Sequence, residues 1–574
     1  MTSNSPVSIE FQIPEKVLGA ADTTYCGIPR EGVLPTSIVT KLTTFETFHY
    51  IYLSISTPRT EPKRELFHNE QRMQVLVIKV LRTVYERLTA GGSTEQQAIQ
   101  SGIWVAGINV GDRVLQLLKV VILARLLSPA AFGLLGIALL VIAALRQLSK
   151  LGFDEALIQH ENENVDAYLN TAWVMKIGRG IAIAAIAVIA APHLADFFGE
   201  PRAGPLISAV GICPLILGLQ NPAVVYFQKD LNFHREFVYQ VGGRLVDLIV
   251  AIAFALVFRS VWALVAGIIS MNLVKFAISF VIHEYRPNVE FDYSYAKEMF
   301  GYGKWLFASS ILVFLYGQGD DAFVGWFFTA TSLGFYQMAY RFSNAPATEV
   351  THVISRVAFP ALSKVQNDVS RLREGYYRSV KVSTVVAFPM AAGIAVVAPQ
   401  FVHTILGSQW TSMVPLMQIL AVWGGFRAFG ANIGPVFKSV GKPNVEFWIQ
   451  LIKVAVIGLL IYPTAEMFGV IGVALVIVGS SFITHPIAIY LVLSIIEGDL
   501  SELLQLTFYP LIGSLGMASV VLAIDSFVFT NNGIIELVSL VIIGSITYPA
   551  LMLIIDRSTP YEFTSIYHML QNAV

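Results

Sequence analysis

From residue 101 onward the chain repeats one pattern: long apolar runs separated by short polar breaks. A helix of about 20 apolar residues crosses the roughly 30 Å hydrocarbon core of a bilayer. The pattern predicts fourteen such spans, at 102–126, 131–150, 170–191, 204–225, 238–258, 262–282, 302–323, 333–356, 378–398, 412–431, 447–463, 468–493, 504–526 and 534–555, with the first, eighth and ninth the least hydrophobic. Lipid cannot satisfy an open backbone, and these runs are too long for barrel strands, so each is predicted to be a helix. The expected fold class is therefore an all-α integral membrane protein.

Composition agrees with the pattern. Of 574 residues, 55% are hydrophobic and 13% charged, and the mean hydropathy is +0.64. Soluble domains carry roughly 25% charge, so the polar surface here is too small for a body of this size in water. The net charge of −1 gives no basic surface and speaks against nucleic acid as a partner. Cys26 and Cys213 lie far apart without metal-ligand spacing and read as free thiols.

The first hundred residues differ from the rest. Residues 1–72 are polar and lack the basic start, apolar core and small-residue cleavage site of a signal peptide. Residues 1–97 are expected to be a cytoplasmic, largely disordered extension. An amphipathic helix near 73–90 reads as a linker or as a helix lying on the membrane surface, and Met73 offers an alternative start of translation.

Basic residues set the orientation. On alternate breaks, one side carries Arg146, Lys150, Lys229, Arg235, Arg286, Lys297, Lys364, Arg371, Arg373, Arg378, Lys438, Lys442 and Arg557; the other carries little beyond Arg125, Arg202 and Arg259. Cytoplasmic loops hold the excess of Lys and Arg. Both termini are thus expected inside, with the protein in the plasma membrane and no sizeable extracellular domain.

The chain also repeats itself. Phe227, Glu236, Phe237 and Gln240 recur as Phe437, Glu446, Phe447 and Gln450, an offset of 210 residues. Ala191-Pro192 returns as Ala398-Pro399, and the stretch after Ser128, centred on Gly133, returns after Thr329, centred on Gly334. Spans one to six and seven to twelve then read as two copies of one six-helix unit in the same orientation. The expected divisions are 98–300, 301–497, and a C-terminal pair of spans with the tail at 498–574. Parallel repeats of this kind place a transport site between the halves and alternate access by rocking; the plainer alternative is a duplicated bundle with no cavity.

Two stretches carry a family resemblance: Ala124-Arg125-Leu126-Leu127-Ser128-Pro129-Ala130-Ala131-Phe132-Gly133, and its second-half counterpart Leu333-Gly334-Phe335-Tyr336-Gln337-Met338-Ala339-Tyr340-Arg341. With them the chain, from about residue 98 to its end, resembles the polysaccharide transporter (oligosaccharide flippase) branch of the multidrug/oligosaccharidyl-lipid/polysaccharide (MOP) exporter superfamily. The resemblance implies two six-helix lobes facing each other in a V, two extra helices, and lipid-linked glycans as substrates.

Charges inside the spans are the candidate site, because each costs about 2.5–3.5 kcal/mol at a helix centre unless it meets water or a partner. The candidates are Asp112, Arg113 and Lys119 in span one, Lys176 and Arg179 in span three, Arg244 and Asp247 in span five, Lys275 in span six, Arg341 in span eight and Arg427 in span ten. Lys304 and Lys453 sit near the predicted cytoplasmic ends, where snorkelling is the plainer reading. Arg244 and Asp247, three apart, either pair with each other or face a ligand. Asp112 and Arg113 are neighbours whose side chains diverge, so at least one must meet another helix or water. Lys176 and Arg179 share a face and favour a cavity. Asp320-Asp321 reads as an outer helix end. The excess of bases over acids suits the phosphate or pyrophosphate of a lipid-linked sugar and would repel a cationic drug.

The stretch 364–381, read as a basic loop with two tyrosines, fits first positive-inside topology and second a contact for anionic headgroups or a partner glycosyltransferase. Gly242-Gly243, Pro214, Pro389, Gly424-Gly425 and Pro435 are bending points or close-packing sites. No P-loop, HExxH or GxSxG motif appears, and no cofactor is expected; a coupling ion, H+ or Na+, is compatible with Asp112 and Asp247. The expected function is a flippase or exporter of lipid-linked oligosaccharide or polysaccharide precursors. The alternatives are a cation-coupled multidrug antiporter of the same superfamily and a membrane glycan polymerase or ligase, which typically carries a large outer loop.

Overall fold

The computed structural model describes residues 94–149, 165–229, 232–345, 361–528 and 533–559, together with 348, 359, 561 and 563. The expected amphipathic helix at 73–90 and Cys26 lie outside them. Among the described residues there are helices and no strands. The first half contains α1 (Thr94–Leu126), α2 (Pro129–Leu148), α3 (Val165–Phe197), α4 (Ala203–Val210), α5 (Cys213–Leu219), α6 (Phe233–Phe258) and α7 (Trp262–Ile282). The second contains α8 (Tyr293–Phe327), α9 (Ala330–Ser343), α10 (Val369–Phe401), α11 (Val414–Gly430), α12 (Ile433–Ser439), α13 (Pro443–Phe468) and α14 (Val470–Ile496). A final hairpin is made by α15 (Leu500–Val528) and α16 (Ile534–Ser558).

Ten stretches among the described residues are long and apolar enough to cross a membrane. The expected spans that do not meet that standard alone are the first, fourth, seventh and eighth. Charges interrupt α1 and α8, and the fourth breaks at Gly211-Ile212 into α4 and α5; most of the eighth beyond α9 lies outside the described residues. The ninth, expected to be weak, lies in a stretch that does qualify, Val369–Leu406.

Local chemistry explains the helix ends. Thr329 caps α9 by accepting from the Ser332 N–H at 3.2 Å, and Asp368 caps α10 by accepting from Arg371 N–H at 3.1 Å. The basic stretch 364–381 is not a loop: α10 begins at Val369, and Tyr376 and Tyr377 are buried. Arg373 donates to the Glu497 carbonyl at 2.7 Å and the Tyr377 hydroxyl to the Asp499 carbonyl at 2.9 Å, so this face supports the end of α14.

The two halves repeat their packing. In the first, α3 packs on α4 and α5, α2 on α4, α5 on α7, and α6 on α7; in the second, α10 packs on α11, α9 on α11, α11 on α14, and α13 on α14. The motif phenylalanines Phe227 and Phe437 are buried in both copies. The break at residue 300 expected from sequence falls inside α8, which already starts at Tyr293.

The halves meet through α2 and α9, with α8 also packed on α2 and α3. A Cβ on Gly133 would strike the Ala330 carbonyl, and one on Gly334 would strike the Pro129 carbonyl. Only glycine lets these two helix starts cross backbone to backbone, the close approach that small residues permit between membrane helices.

Candidate functional site

The charges expected from sequence collect mainly on one face. Helix α1 supplies Asp112 and Lys119, two turns apart, and α6, packed along α1, supplies Arg244 and Asp247. Lys119 Nζ meets Asp247 Oδ1 at 2.5 Å. Arg244 Nε meets Asp112 Oδ1 at 2.7 Å, its NH2 reaches Asp112 Oδ2 at 3.4 Å, and its NH1 reaches Asp247 Oδ2 at 3.3 Å. Thus Arg244 does pair with Asp247 along the helix, but its shorter contact is with Asp112, 132 residues away.

Two further bases complete the group. Lys275 of α7 donates to Gln240 Oε1 at 2.6 Å, stands 5.2 Å from the Tyr239 ring centroid, and lies within Coulombic reach of Arg244, Asp112 and Asp247. Arg341 enters from α9, in the other half, within Coulombic reach of Arg244, Arg113 and Asp247. Lys119 in turn feels both Arg244 and Arg341. Arg341 and Arg113 are exposed side chains, although both belong to this inner cluster. Among the described residues Arg341 has no ion-pair partner. Four bases (Lys119, Arg244, Lys275 and Arg341) therefore lie within reach of the two carboxylates, with Arg113 within reach of Arg341, and the bases outnumber the acids where the halves approach. Small residues make the close packing possible: a Cβ on Gly243 would press on Lys275, and one on Gly267 would press on Asp247 and Ala251.

Not every candidate joins this group. Arg179 donates to Ser149 Oγ at 2.9 Å and to the Arg146 carbonyl at 2.6 Å, so it caps the end of α2. Lys176 sits one turn away on α3, where α5 packs so closely that a Cβ on Gly218 would meet the Lys176 carbonyl. Arg427 of α11 donates to the Tyr340 hydroxyl and Asn344 Oδ1, both at 3.2 Å, and lies over the Trp423 ring at 5.1 Å. Lys453 does not snorkel: it is buried, with Ser481 Oγ at 3.1 Å and the Tyr316 ring at 5.3 Å.

Sequence reasoning missed the second-half cluster around Arg427. Asp320 is not at an outer helix end; it is buried, accepts a 2.7 Å hydrogen bond from the Tyr336 hydroxyl, and lies within reach of Arg427. The repeat contained the signal. Lys119 and Asp320 are 201 residues apart, the same offset as Gly133 and Gly334. By this alignment one position holds a base in the first half and an acid in the second, so the duplication is asymmetric in charge. Among the described residues, no three His, Cys, Asp or Glu side chains converge as metal ligands.

A second missed feature joins the halves at the α1 and α10 ends. A π-turn at Val402–Leu406 closes with Gly407 N–H on the Val402 carbonyl at 2.8 Å. This leaves the Thr404 and Ile405 carbonyls open, and Arg125 donates to both, to Ile405 at 2.8 Å. In return Gln409 and Trp410 donate to the Ala124 carbonyl at 2.5 and 2.9 Å, satisfying the end of α1. Trp410 is fully buried, edge-on to Phe132 and Phe335 at 5.2 and 5.9 Å. The repeat supplies the reciprocal contact: Glu200 accepts from the first N–H of α9 at 3.3 Å, and Phe197 stacks on Trp326 at 6.2 Å. Two of the three repeated motifs, those at Ala191 and Ala398 and at Gly133 and Gly334, adjoin the two parts of this interlock.

Comparison with known proteins places the chain. Residues 122–415, half of its length, match the family described as "Polysaccharide biosynthesis protein". The chain belongs to that family. It is 26% identical to the lipopolysaccharide biosynthesis protein WzxC of Escherichia coli (strain K12) over 67% of this chain and 78% of that one. It is also 26% identical to the succinoglycan biosynthesis transport protein ExoT of Rhizobium meliloti (strain 1021), over 79% and 92%. Its fold matches the lipid II flippase MurJ in an inward closed conformation, with a TM-score of 0.64 and 16% identity over 79% of this chain and 99% of that one. The family member described here is a multi-pass membrane protein with a transporter fold.

Proposed function

We propose that the chain is a flippase or exporter of lipid-linked oligosaccharide or polysaccharide precursors, not an enzyme, and works by alternating access between its two halves. The observation that carries this reading is the network of Lys119, Arg244 and Lys275 around Asp112 and Asp247, with Arg341 of the other half within Coulombic reach of Arg244 and Asp247. A phosphate or pyrophosphate crossing a low-dielectric interior needs compensating cations, and Arg is suited to grip it. The relatives WzxC, a lipopolysaccharide biosynthesis protein, and ExoT, a succinoglycan biosynthesis transport protein, support the same substrate class.

Two further features support it. The final hairpin forms apolar clefts with α10: one of about 760 Å³ between α10, α11 and α15, and one of about 620 Å³ between α10, α15 and α16. Clefts of this kind fit a polyprenyl tail, while the charged group fits the head. The interlock around Trp410 lies on the side poor in Lys and Arg. By the positive-inside rule that side faces out, so the access path opens to the cytoplasm, where the termini also lie. Fourteen crossings, the plasma membrane as location, and glycosyltransferases as suppliers of substrate belong to this reading. If an ion couples transport, Asp112 is its natural acceptor, because Asp247 is fully buried between two cations. A cation-coupled drug antiporter fits less well, since a cationic drug would be repelled.

Reconstitution tests the proposal. In proteoliposomes, a fluorescent polyprenyl-pyrophosphoryl oligosaccharide should become accessible to an impermeant quencher at least about 10-fold faster with the protein than without it. The matching polyprenyl glycoside lacking phosphate should not. Equal rates for both lipids, or no acceleration of either, would overturn the reading.

A further inference from the structure

The acid–base pairs of the first-half cluster are not equivalent. In the Lys119–Asp247 pair the side chains are 11% and 1% exposed; in the Arg244–Asp112 pair they are 20% and 33% exposed. Asp247 has both oxygens engaged by cations and no exposed surface, so it is a fixed part of the α1–α6 contact. Asp112 faces the open side. It grips Arg244 through both oxygens, at Nε and NH2, on the guanidinium edge that also binds phosphate oxygens. Arg244 keeps its NH1 contact with Asp247, so Asp112 can leave without uncoupling Arg244 from its own helix.

We propose that Asp112 is a displaceable internal counter-ion, a stand-in for the phosphate of the substrate. In the empty carrier it occupies the phosphate-binding edge of Arg244. An arriving pyrophosphate displaces it, and on release Asp112 returns and helps to expel the anion. This rests on the flippase reading and assigns Asp112 a positioning role through Arg244. The exchange is isosteric in its hydrogen bonds, one bidentate oxyanion for another, so the guanidinium is never left bare in the membrane interior. It also sets affinity: the anion must outcompete a tethered carboxylate, which keeps binding weak enough for release.

The test uses the full chain in lipid nanodiscs, with geranylgeranyl pyrophosphate as probe and geranylgeraniol as the uncharged control. Asp112→Asn should bind the pyrophosphate about 10-fold more tightly than the parent and release it more slowly. Removal of any acid from a cationic space would favour anions to some degree, so the deciding readout is a cycle with Arg244→Gln. In that background Asp112→Asn should give no further tightening, because the edge for which Asp112 competes is gone. Asp112→Ser serves if the Asn variant does not fold. Equal or weaker binding by Asp112→Asn, or the same tightening in both backgrounds, would overturn the counter-ion role. Arg341→Gln separates this from the underlying reading. If it loses pyrophosphate binding while the cycle fails, only the counter-ion role is wrong; if it binds as the parent does and geranylgeraniol binds equally well, the phosphate-carrying reading fails.

Discussion

Arg341→Gln should reduce transport of a pyrophosphate-linked lipid by about two orders of magnitude and leave the protein as stable as the parent. The charge is exposed and within Coulombic reach of like charge on Arg244 and Arg113. Removing it breaks no ion pair among the described residues and relieves repulsion, so the melting temperature should hold or rise. Its loss is felt by the anion alone. A unit charge at contact distance is worth about 4 kcal/mol at an effective dielectric of 20, and partial compensation by neighbouring bases brings the expected effect to roughly 100-fold. Asp247→Ala should behave in the opposite sense: it strands Lys119 and leaves Arg244 with Asp112 alone, and breaking a buried pair costs about 3–5 kcal/mol. Flipping rate and melting curve together distinguish a cation that serves the substrate from one that serves the fold. An Arg341→Gln protein that transports normally would remove Arg341 from the mechanism.

The second large effect is expected at the glycine crossing. In Gly133→Ala the added carbon meets the Ala330 carbonyl, a backbone atom that cannot rotate away. The helices must separate, and forced overpacking costs about 1–3 kcal/mol. In a two-state carrier this falls on the state that closes the α2–α9 crossing, so its population relative to the open state drops about 10- to 100-fold. Leu127, 2% exposed beside this crossing, reports the change. A Leu127→Cys thiol, in a background lacking Cys26 and Cys213, should react with an impermeant maleimide at least about 10-fold faster when Gly133→Ala is added. Unchanged labelling would mean that the crossing is not part of a closing interface.

How much of this is legible without the structure depends on what a sequence pattern encodes. Apolar run length reports a helix directly, and recurrence reports duplication, so the helical class and the paired halves are readable from Phe227 and Phe437 or Gly133 and Gly334. A charge inside a span reports only that some partner or water is needed. It carries no azimuth, and the partner of Asp112 is chosen by how α1 packs on α6, 132 residues away. That is why Lys176 and Arg179, which share a face, look as suited to a cavity as Lys119, yet Arg179 proves to cap α2. Asp320 misleads in sequence because it sits near Trp326 and Phe327, which resemble an interfacial belt; aligning it with Lys119 moves it inward. The Trp410 interlock has no signal of its own, since its hydrogen bonds end on carbonyls, which every residue possesses.

The central claim is that a water-filled, positively charged space lies between the halves at Arg341. Its most direct test is the reactivity of a thiol placed there by Arg341→Cys, in the background lacking Cys26 and Cys213. Four bases and two carboxylates would remain, so anionic and cationic impermeant thiosulfonates of equal size should differ. A positive cleft concentrates anions by about 10-fold or more. The expected result is modification by the anionic reagent at least about 10-fold faster than by the cationic one, with each normalised to its rate on a free thiol, and a difference that shrinks in high salt. If the introduced thiol reacts with neither reagent, or faster with the cation, the claim is contradicted.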